Sequence, residues 1–480
     1  MLIKNDERIG LVEGIGTDGE GIIKEEGLTV FLPFAFLGEK VRYKILKVKK
    51  NIAYGKVLEI LTPAEKRVRP KCPIFFKCGG CHYQHLSYDA QLTVKKDTIK
   101  NCLHKIGGLQ VDNLKVEKSL KTWGYRNKLQ IPVTDVKGKT VIGFYAENTH
   151  RAVETDDCPV SEWAKDIIAI FNDYVNKYNV KGYNEENHTG ELRHIVVRGI
   201  NGKFIITAVC MNDNLKGVEY LEEQLLKKFP EHSLYINVND KKTNVIFGDK
   251  FRLVYGKGRY RADMLNVKYE FGVMSFMQIN TEVAERIYKK AVDLATPDED
   301  TVVIDAYSGA GLMTAMLAKK AKKAYGVEII KEAVECADSL KQMNGLENKM
   351  ENLCGKCEDV LPSLISTLKK SGEKVSLILD PPRKGCDIKV LDAILECEID
   401  KIVYVSCNPS TLARDIGILT GALKIEDGKL TKVGNFNAFT DENLKYHLSY
   451  IQGYDMFPHT KHVESVVCLT RRLDNELPMA

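Results

Sequence analysis

The sequence predicts an α/β protein with a Rossmann-like, doubly wound C-terminal domain. A small N-terminal β-barrel and a central α+β domain are expected before it. Three observations carry this assignment. Val302-Val303-Ile304-Asp305 reads as a buried strand that leads through Gly309 and Gly311 into a helical stretch, and the next strand ends at Glu328, seventeen residues past Gly311. Three later apolar runs, 375–379, 401–405 and 466–469, each abut a chemically active residue: Asp380, Cys407 and Glu464. Open α/β sheets bind ligands beside the carboxyl ends of their strands, so these residues share one crevice edge. The third observation is a set of five short strand patterns with turn signals within the first 62 residues, the mark of a small barrel.

The predicted domains are 1–62, 63–265 and 266–480, since 480 residues exceed one ordinary domain. Hydrophobic content of 44% and charged content of 28% fit a soluble chain. No signal-peptide core or membrane-length apolar run is visible, so a cytoplasmic location is expected. Thirteen cysteines are then reduced thiols, metal ligands or catalytic groups. The net charge of +5 says little, but residues 40–71 hold eleven Lys or Arg against Glu59 and Glu65. That run suits phosphates.

In the first domain, Gly14-Ile15-Gly16-Thr17-Asp18-Gly19-Glu20-Gly21, Val30-Phe31-Leu32-Pro33 and Gly38-Glu39 resemble the TRAM domain of RNA-modifying enzymes, which implies RNA binding. Next, Cys72, Cys78 and Cys81 fall within ten residues, with Gly79-Gly80 allowing a tight fold around a metal. A fourth ligand must come from afar. Cys102, Cys158 and Cys210 are the candidates, and Cys158 sits in the turn-like Asp157-Cys158-Pro159. Three plus one thiols suit a [4Fe–4S] cluster better than zinc, which remains the alternative. Beyond residue 120, alternating strands carry Tyr125-Arg126-Asn127-Lys128 and Arg193-His194-Ile195-Val196-Val197-Arg198. Cations beside aromatic and apolar residues suggest a nucleic-acid surface.

In the C-terminal domain, two glycines are too few for a pyrophosphate cradle, which disfavours NAD. S-adenosylmethionine has no phosphates and demands less, and Glu328 is placed to hold its ribose. Cys407 ends its strand, and Pro409 is expected to stop regular structure there. A displayed thiol reads as a nucleophile, with a buried, inert thiol as the plain alternative.

Five ordered stretches then resemble the RNA 5-methyluridine methyltransferases: Ser275-Phe276-Met277-Gln278-Ile279-Asn280, Asp305-x-Tyr307-x-Gly309-x-Gly311, Asp380-Pro381-Pro382-Arg383-Lys384-Gly385, Val405-Ser406-Cys407-Asn408-Pro409 and His462-Val463-Glu464. With the TRAM-like start and the thiols, the resemblance covers nearly the whole chain. It implies that Cys407 attacks carbon 6 of uracil and that Glu464 removes the carbon-5 proton. It implies S-adenosylmethionine contacts at Gln278, Tyr307, Glu328 and Asp380, with Asp359 near the adenine. It matches Cys72, Cys78, Cys81 and Cys158 to iron–sulfur ligands and places residues 86–110 against the catalytic domain. Phe276 is expected to pack on a base flipped from its stack, and Met277 stands where relatives often carry a second Phe.

The substrate implied is large-subunit (23S) ribosomal RNA, with transfer RNA as the alternative and a monomer as the expected state. Two other readings compete: an amino-group methyltransferase, which needs no cysteine and wants an aromatic residue at Arg383, and a non-catalytic RNA-binding or folding factor.

Overall fold

In the computed structural model, residues 2–275, 277–295, 298–426 and 429–472 are described. Three sheets organise them. Residues 7–62 form a six-stranded sheet around its own core, which includes Val30, Leu32, Val41, Tyr43 and Ile45. A seven-stranded sheet spans 128–255 and is backed by the helices Ala164–Tyr178 and Val218–Lys228.

The third sheet has eight strands. Five run parallel, in the spatial order Met350–Cys354, Lys323–Glu328, Thr301–Ala306, Lys374–Leu379 and Lys401–Ser406. Glu464–Arg471 then joins antiparallel, followed by Tyr446–Tyr454 and the short Val116–Glu117. Every residue of Thr301–Ala306 is buried, as a strand covered on both faces requires. Strand order reverses across Thr301–Ala306, so the binding crevice lies between its end and that of Lys374–Leu379.

Alternate residues feed opposite faces of this sheet. Ile304, Leu377, Ile402 and Tyr404 join one core, beneath the helices Pro409–Thr420 and Tyr88–Lys105. Val303, Ile378, Val403, Val405 and Val466 join the other, beneath the helix Thr281–Ala295. Tyr88–Lys105 precedes the central sheet in sequence, yet it packs on Pro409–Thr420 and places Leu109 beside Phe436. No helix among the described residues is long and apolar enough to cross a membrane.

Two expectations are corrected. Pro409 does not end regular structure but opens the helix Pro409–Thr420 at its first turn. There its missing N–H costs nothing and its fixed φ suits the helix. The cationic strand segments depart from expectation in part: Arg193 and Arg198 do not form a nucleic-acid surface, while Arg126 and Lys128 stay partly exposed. Tyr125, Asn127, Arg193 and Arg198 are all buried. Asn127 donates to the Gln278 carbonyl at 2.8 Å, Arg193 to the carbonyls of Asn239 and Lys241 at 2.6 and 2.8 Å, and Arg198 to that of Val273 at 3.1 Å. A buried cation must find acceptors, and these join loops and sheets to one another.

Candidate active site

The antiparallel ladder between Lys401–Ser406 and Glu464–Arg471 ends at the pair Ser406 and Ser465. Carried one step further, the same register sets Cys407 opposite Glu464, and the two interact electrostatically. Parity orients the rest. Asp305, Asp380 and Cys407 each follow by two residues, and Glu464 precedes by two, a side chain of the core beneath Thr281–Ala295, so all four point to that face.

Just past the thiol, the Asn408 side chain caps the helix Pro409–Thr420 by accepting from the Ser410 amide at 3.1 Å. Such a cap contributes about 1 kcal/mol. It also sets Cys407 at a helix N-terminus, where the dipole favours a thiolate.

Burial dominates the electrostatics. It pushes the Cys407 thiol up to about 11, aided by the Glu464 and Asp380 charges and opposed by Arg383. Burial and the Asp380 charge raise Glu464 to about 8, again opposed by Arg383. Asp380 rises to about 7 through burial and the Asp305 charge. Asp305 reaches about 7 through burial, against its hydrogen bond from Thr314 at 2.6 Å. Three carboxyls crowd one water-poor crevice, so they resist ionising together.

Two residues of this site carry no role in the sequence reading. Arg383 is the cation acting on both Cys407 and Glu464. Its carbonyl accepts from the Asn408 amide group at 2.9 Å and the Thr411 hydroxyl at 3.3 Å, which anchors the loop to the helix behind the thiol. Its charge at a strand end was a legible signal. Tyr288, on Thr281–Ala295, interacts with Asp380, Asp305, Gln278 and Glu464, and burial raises its hydroxyl pKa. Nothing local in the sequence marks it, because only the docking of that helix brings it here.

The cofactor side lies across the crevice. Glu328 accepts from the Gly309 amide at 3.0 Å and the Ile330 amide at 2.8 Å, which fixes its carboxylate at the strand end. Gly309 has φ +54 and an added Cβ would meet nothing within 4 Å, so the loop faces open space that a ligand can fill. Tyr307 sits at φ +65, an uncommon value for a non-glycine residue. Gln278 is held through its carbonyl by Asn127. These residues fit S-adenosylmethionine. Asp359 lies exposed in the first turn of Cys357–Lys370, near the Glu328 strand end, and no described contact joins it to the other site residues. Phe276 falls outside the described residues.

Cys72, Cys78, Cys81 and Cys158 lie close enough to interact with one another, and the residues after Cys81 bond to the segment that enters the Glu464 strand. Each of Cys78, Cys81 and Cys158 is raised further by neighbouring thiols, after burial as the first cause. Cys81 reaches about 11 and Cys158 about 12. A side chain at Gly79 would meet the Glu147 backbone at 2.8 Å, so the loop closes only with glycine there. Among the described residues no three of His, Cys, Asp or Glu gather tightly enough to hold a single metal ion. One tetrahedral zinc would draw its sulfurs to about 3.8 Å of one another. A [4Fe–4S] cluster would give each thiolate its own iron. Cys102 and Cys210 are buried elsewhere, in a helix and a strand.

A Rossmann-like sheet, an acid-anchored glycine loop and an open crevice define an S-adenosylmethionine-dependent methyltransferase. The comparisons make this particular. Residues 87–472 match the tRNA (Uracil-5-)-methyltransferase family, and the chain belongs to it. An uncharacterized RNA methyltransferase of Clostridium tetani is 38% identical over 96% of this chain and 95% of its own. Another, from Halalkalibacterium halodurans, is 36% identical over 97% of both. The crystal structure of Pyrococcus abyssi tRNA (uracil-54, C5)-methyltransferase with S-adenosyl-L-homocysteine superposes with a TM-score of 0.74 at 26% identity, covering 96% of this chain and 99% of that one. The protein is an S-adenosylmethionine-dependent RNA (uracil-C5)-methyltransferase.

Proposed function

We propose that the chain methylates carbon 5 of uridine in large-subunit (23S) ribosomal RNA through a covalent cysteine–uracil adduct. The observation that carries the chemistry is the register placing Cys407 opposite Glu464 at the crevice edge. Carbon 5 of uracil is a weak nucleophile until a thiolate adds at carbon 6. The Cys407 thiolate forms the Sγ–C6 bond, and the C5=C6 π pair moves into an enolate. S-adenosylmethionine supplies the methyl group as an electrophile on a positively charged sulfur. The Glu464 carboxylate then takes the carbon-5 proton, the C5=C6 bond reforms, and Cys407 leaves with its electron pair. Arg383 favours both anionic forms, thiolate and carboxylate. Gln278, Tyr307, Glu328 and Asp380 hold the cofactor, and Asp359 lies toward its adenine. Phe276 packs on the flipped base.

The chain divides into an RNA-binding TRAM-like domain at 1–62, a central domain at 63–265 and the catalytic domain at 266–480, with 86–110 packed on the last. Cys72, Cys78, Cys81 and Cys158 hold a [4Fe–4S] cluster. The protein works in the cytoplasm as a monomer. The TRAM-like start and the four thiols support ribosomal RNA, because relatives with both resemble the ribosomal enzymes. Transfer RNA is the second reading, favoured by the names of the matching family and of the Pyrococcus abyssi enzyme. Mapping 5-methyluridine in ribosomal and transfer RNA, with and without the gene, decides between them. Loss from neither pool overturns both readings and leaves a non-catalytic RNA-binding role.

A further inference from the structure

The segment 455–463 enters the Glu464 strand, and many of the groups holding it belong to the thiol loop, to residues beside the thiols, or to the helix Tyr88–Lys105. The amides of His82 and Tyr83, directly after Cys81, both donate to the His459 carbonyl, at 2.8 and 2.9 Å. The Tyr125 hydroxyl donates to the Pro458 carbonyl at 3.1 Å, and Tyr125 itself interacts with Cys81 and Cys158. Gln91 makes two bonds to His459, one from the His459 amide at 2.9 Å and one to Nδ1 at 3.2 Å. The His459 ring stacks on Trp123 at 3.8 Å, and the Trp123 ring in turn lies under Lys71, the residue before Cys72. Lys95, fully buried with Asp455, donates to the Phe457 carbonyl at 2.9 Å.

His459 holds φ +68. A non-glycine residue stays there only when its surroundings over-determine it, and such strain concentrates at working sites. So many clamps on one strained residue, five positions before Glu464, are more than a surface turn needs.

We infer that His459 is a positioning residue for Glu464, locking the entry of its strand to the thiol loop so that the loop's conformation sets where the general base sits. This rests on the proposed reaction, in which Glu464 acts only after carbon 5 is methylated. Displacement of a catalytic group by about 1 Å costs on the order of 10²-fold in rate. The role therefore predicts a selective defect. His459→Asn tolerates positive φ but loses the ring stack and the Nδ1 contact, and Tyr125→Phe removes one hydroxyl.

The probes are total RNA from cells lacking the gene, and the same RNA from such cells grown with 5-fluorouracil. Fluorine at carbon 5 leaves no proton to remove, so trapping of Cys407 does not call on Glu464. His459→Asn is expected to lower kcat on ordinary RNA about 10- to 100-fold with KM falling alongside it and kcat/KM nearly unchanged, and to accumulate a methylated protein–RNA adduct on denaturing gels. Trapping on fluorinated RNA and the visible absorbance of the protein stay at wild-type levels. Tyr125→Phe shows the same pattern at about threefold. Trapping and turnover falling together, or neither falling, overturns the role. Wild-type protein that neither traps nor methylates overturns the reaction itself, and the role with it.

Discussion

Cys407 and the four thiols around Cys81 are alike by burial and unlike by company. Cys407 and Cys81 are both raised to about 11, with desolvation the first cause in each. What surrounds them differs. Cys407 faces one cation, Arg383, and two carboxyls, while Cys81 has a hydrogen bond with Gln84, the thiols of Cys78 and Cys72, and only a weak influence from Arg126. A buried thiolate needs a positive partner whichever role it plays. One thiol beside an Arg and a general base can add to a ring and leave again. Four thiols facing each other remain anionic together only if metal supplies the charge. The neighbours, not the degree of burial, distinguish the proposed nucleophile from the proposed ligands.

Four substitutions test that contrast. The largest effect is expected for Cys407→Ala, which should lower methyl transfer by more than about 10³-fold. Tritium transfer from labelled cofactor measures it, and RNA binding by filter retention should persist. Glu464→Gln should lower turnover about 10²- to 10³-fold and leave a methylated covalent adduct that runs slowly on a denaturing gel. The sign of its pH dependence follows from the raised pKa. The working base is the ionised carboxylate, favoured above its pKa of about 8, so wild-type turnover should climb as pH rises through 8. Glu464→Gln should lose that limb.

Arg383→Ala is expected to slow adduct formation about 10- to 100-fold, because the thiolate and the carboxylate lose their shared cation. Rates of trapping with 5-fluorouridine RNA across pH should show the thiol limb moved upward. The smallest effect on the nucleophile should come from Cys81→Ala. It is expected to abolish visible absorbance and bound iron, measured per chain, while trapping by Cys407 falls less than about tenfold. A colourless wild-type protein carrying one zinc per chain would break the comparison at its metal half.

Much of the site was legible because its residues end buried strands. Val302-Val303-Ile304-Asp305 and Val403-Tyr404-Val405-Ser406-Cys407 announce their burial by β-branched and apolar runs, and the chemistry follows at the carboxyl edge. Pro409 misled, since a proline reads as a stop unless the cap before it is recognised. Asn408 supplied that cap. The buried Arg193 and Arg198 misled for a different reason. A cation in a strand looks like surface until loops from elsewhere bring carbonyls to it.

By itself, the sequence determined the class of sheet, the order of its motifs and the residue types at the crevice. Those depend on local periodicity and on short spacings along the chain. Only the tertiary structure decided that Cys407 lies opposite Glu464, since fifty-seven positions separate them and a one-residue slip would turn one away. It alone brought Tyr288 over the acids and tied the loop after Cys81 to His459. Contacts between distant segments are set by how sheets and helices dock, and that packing leaves no periodic mark in the residues that make it.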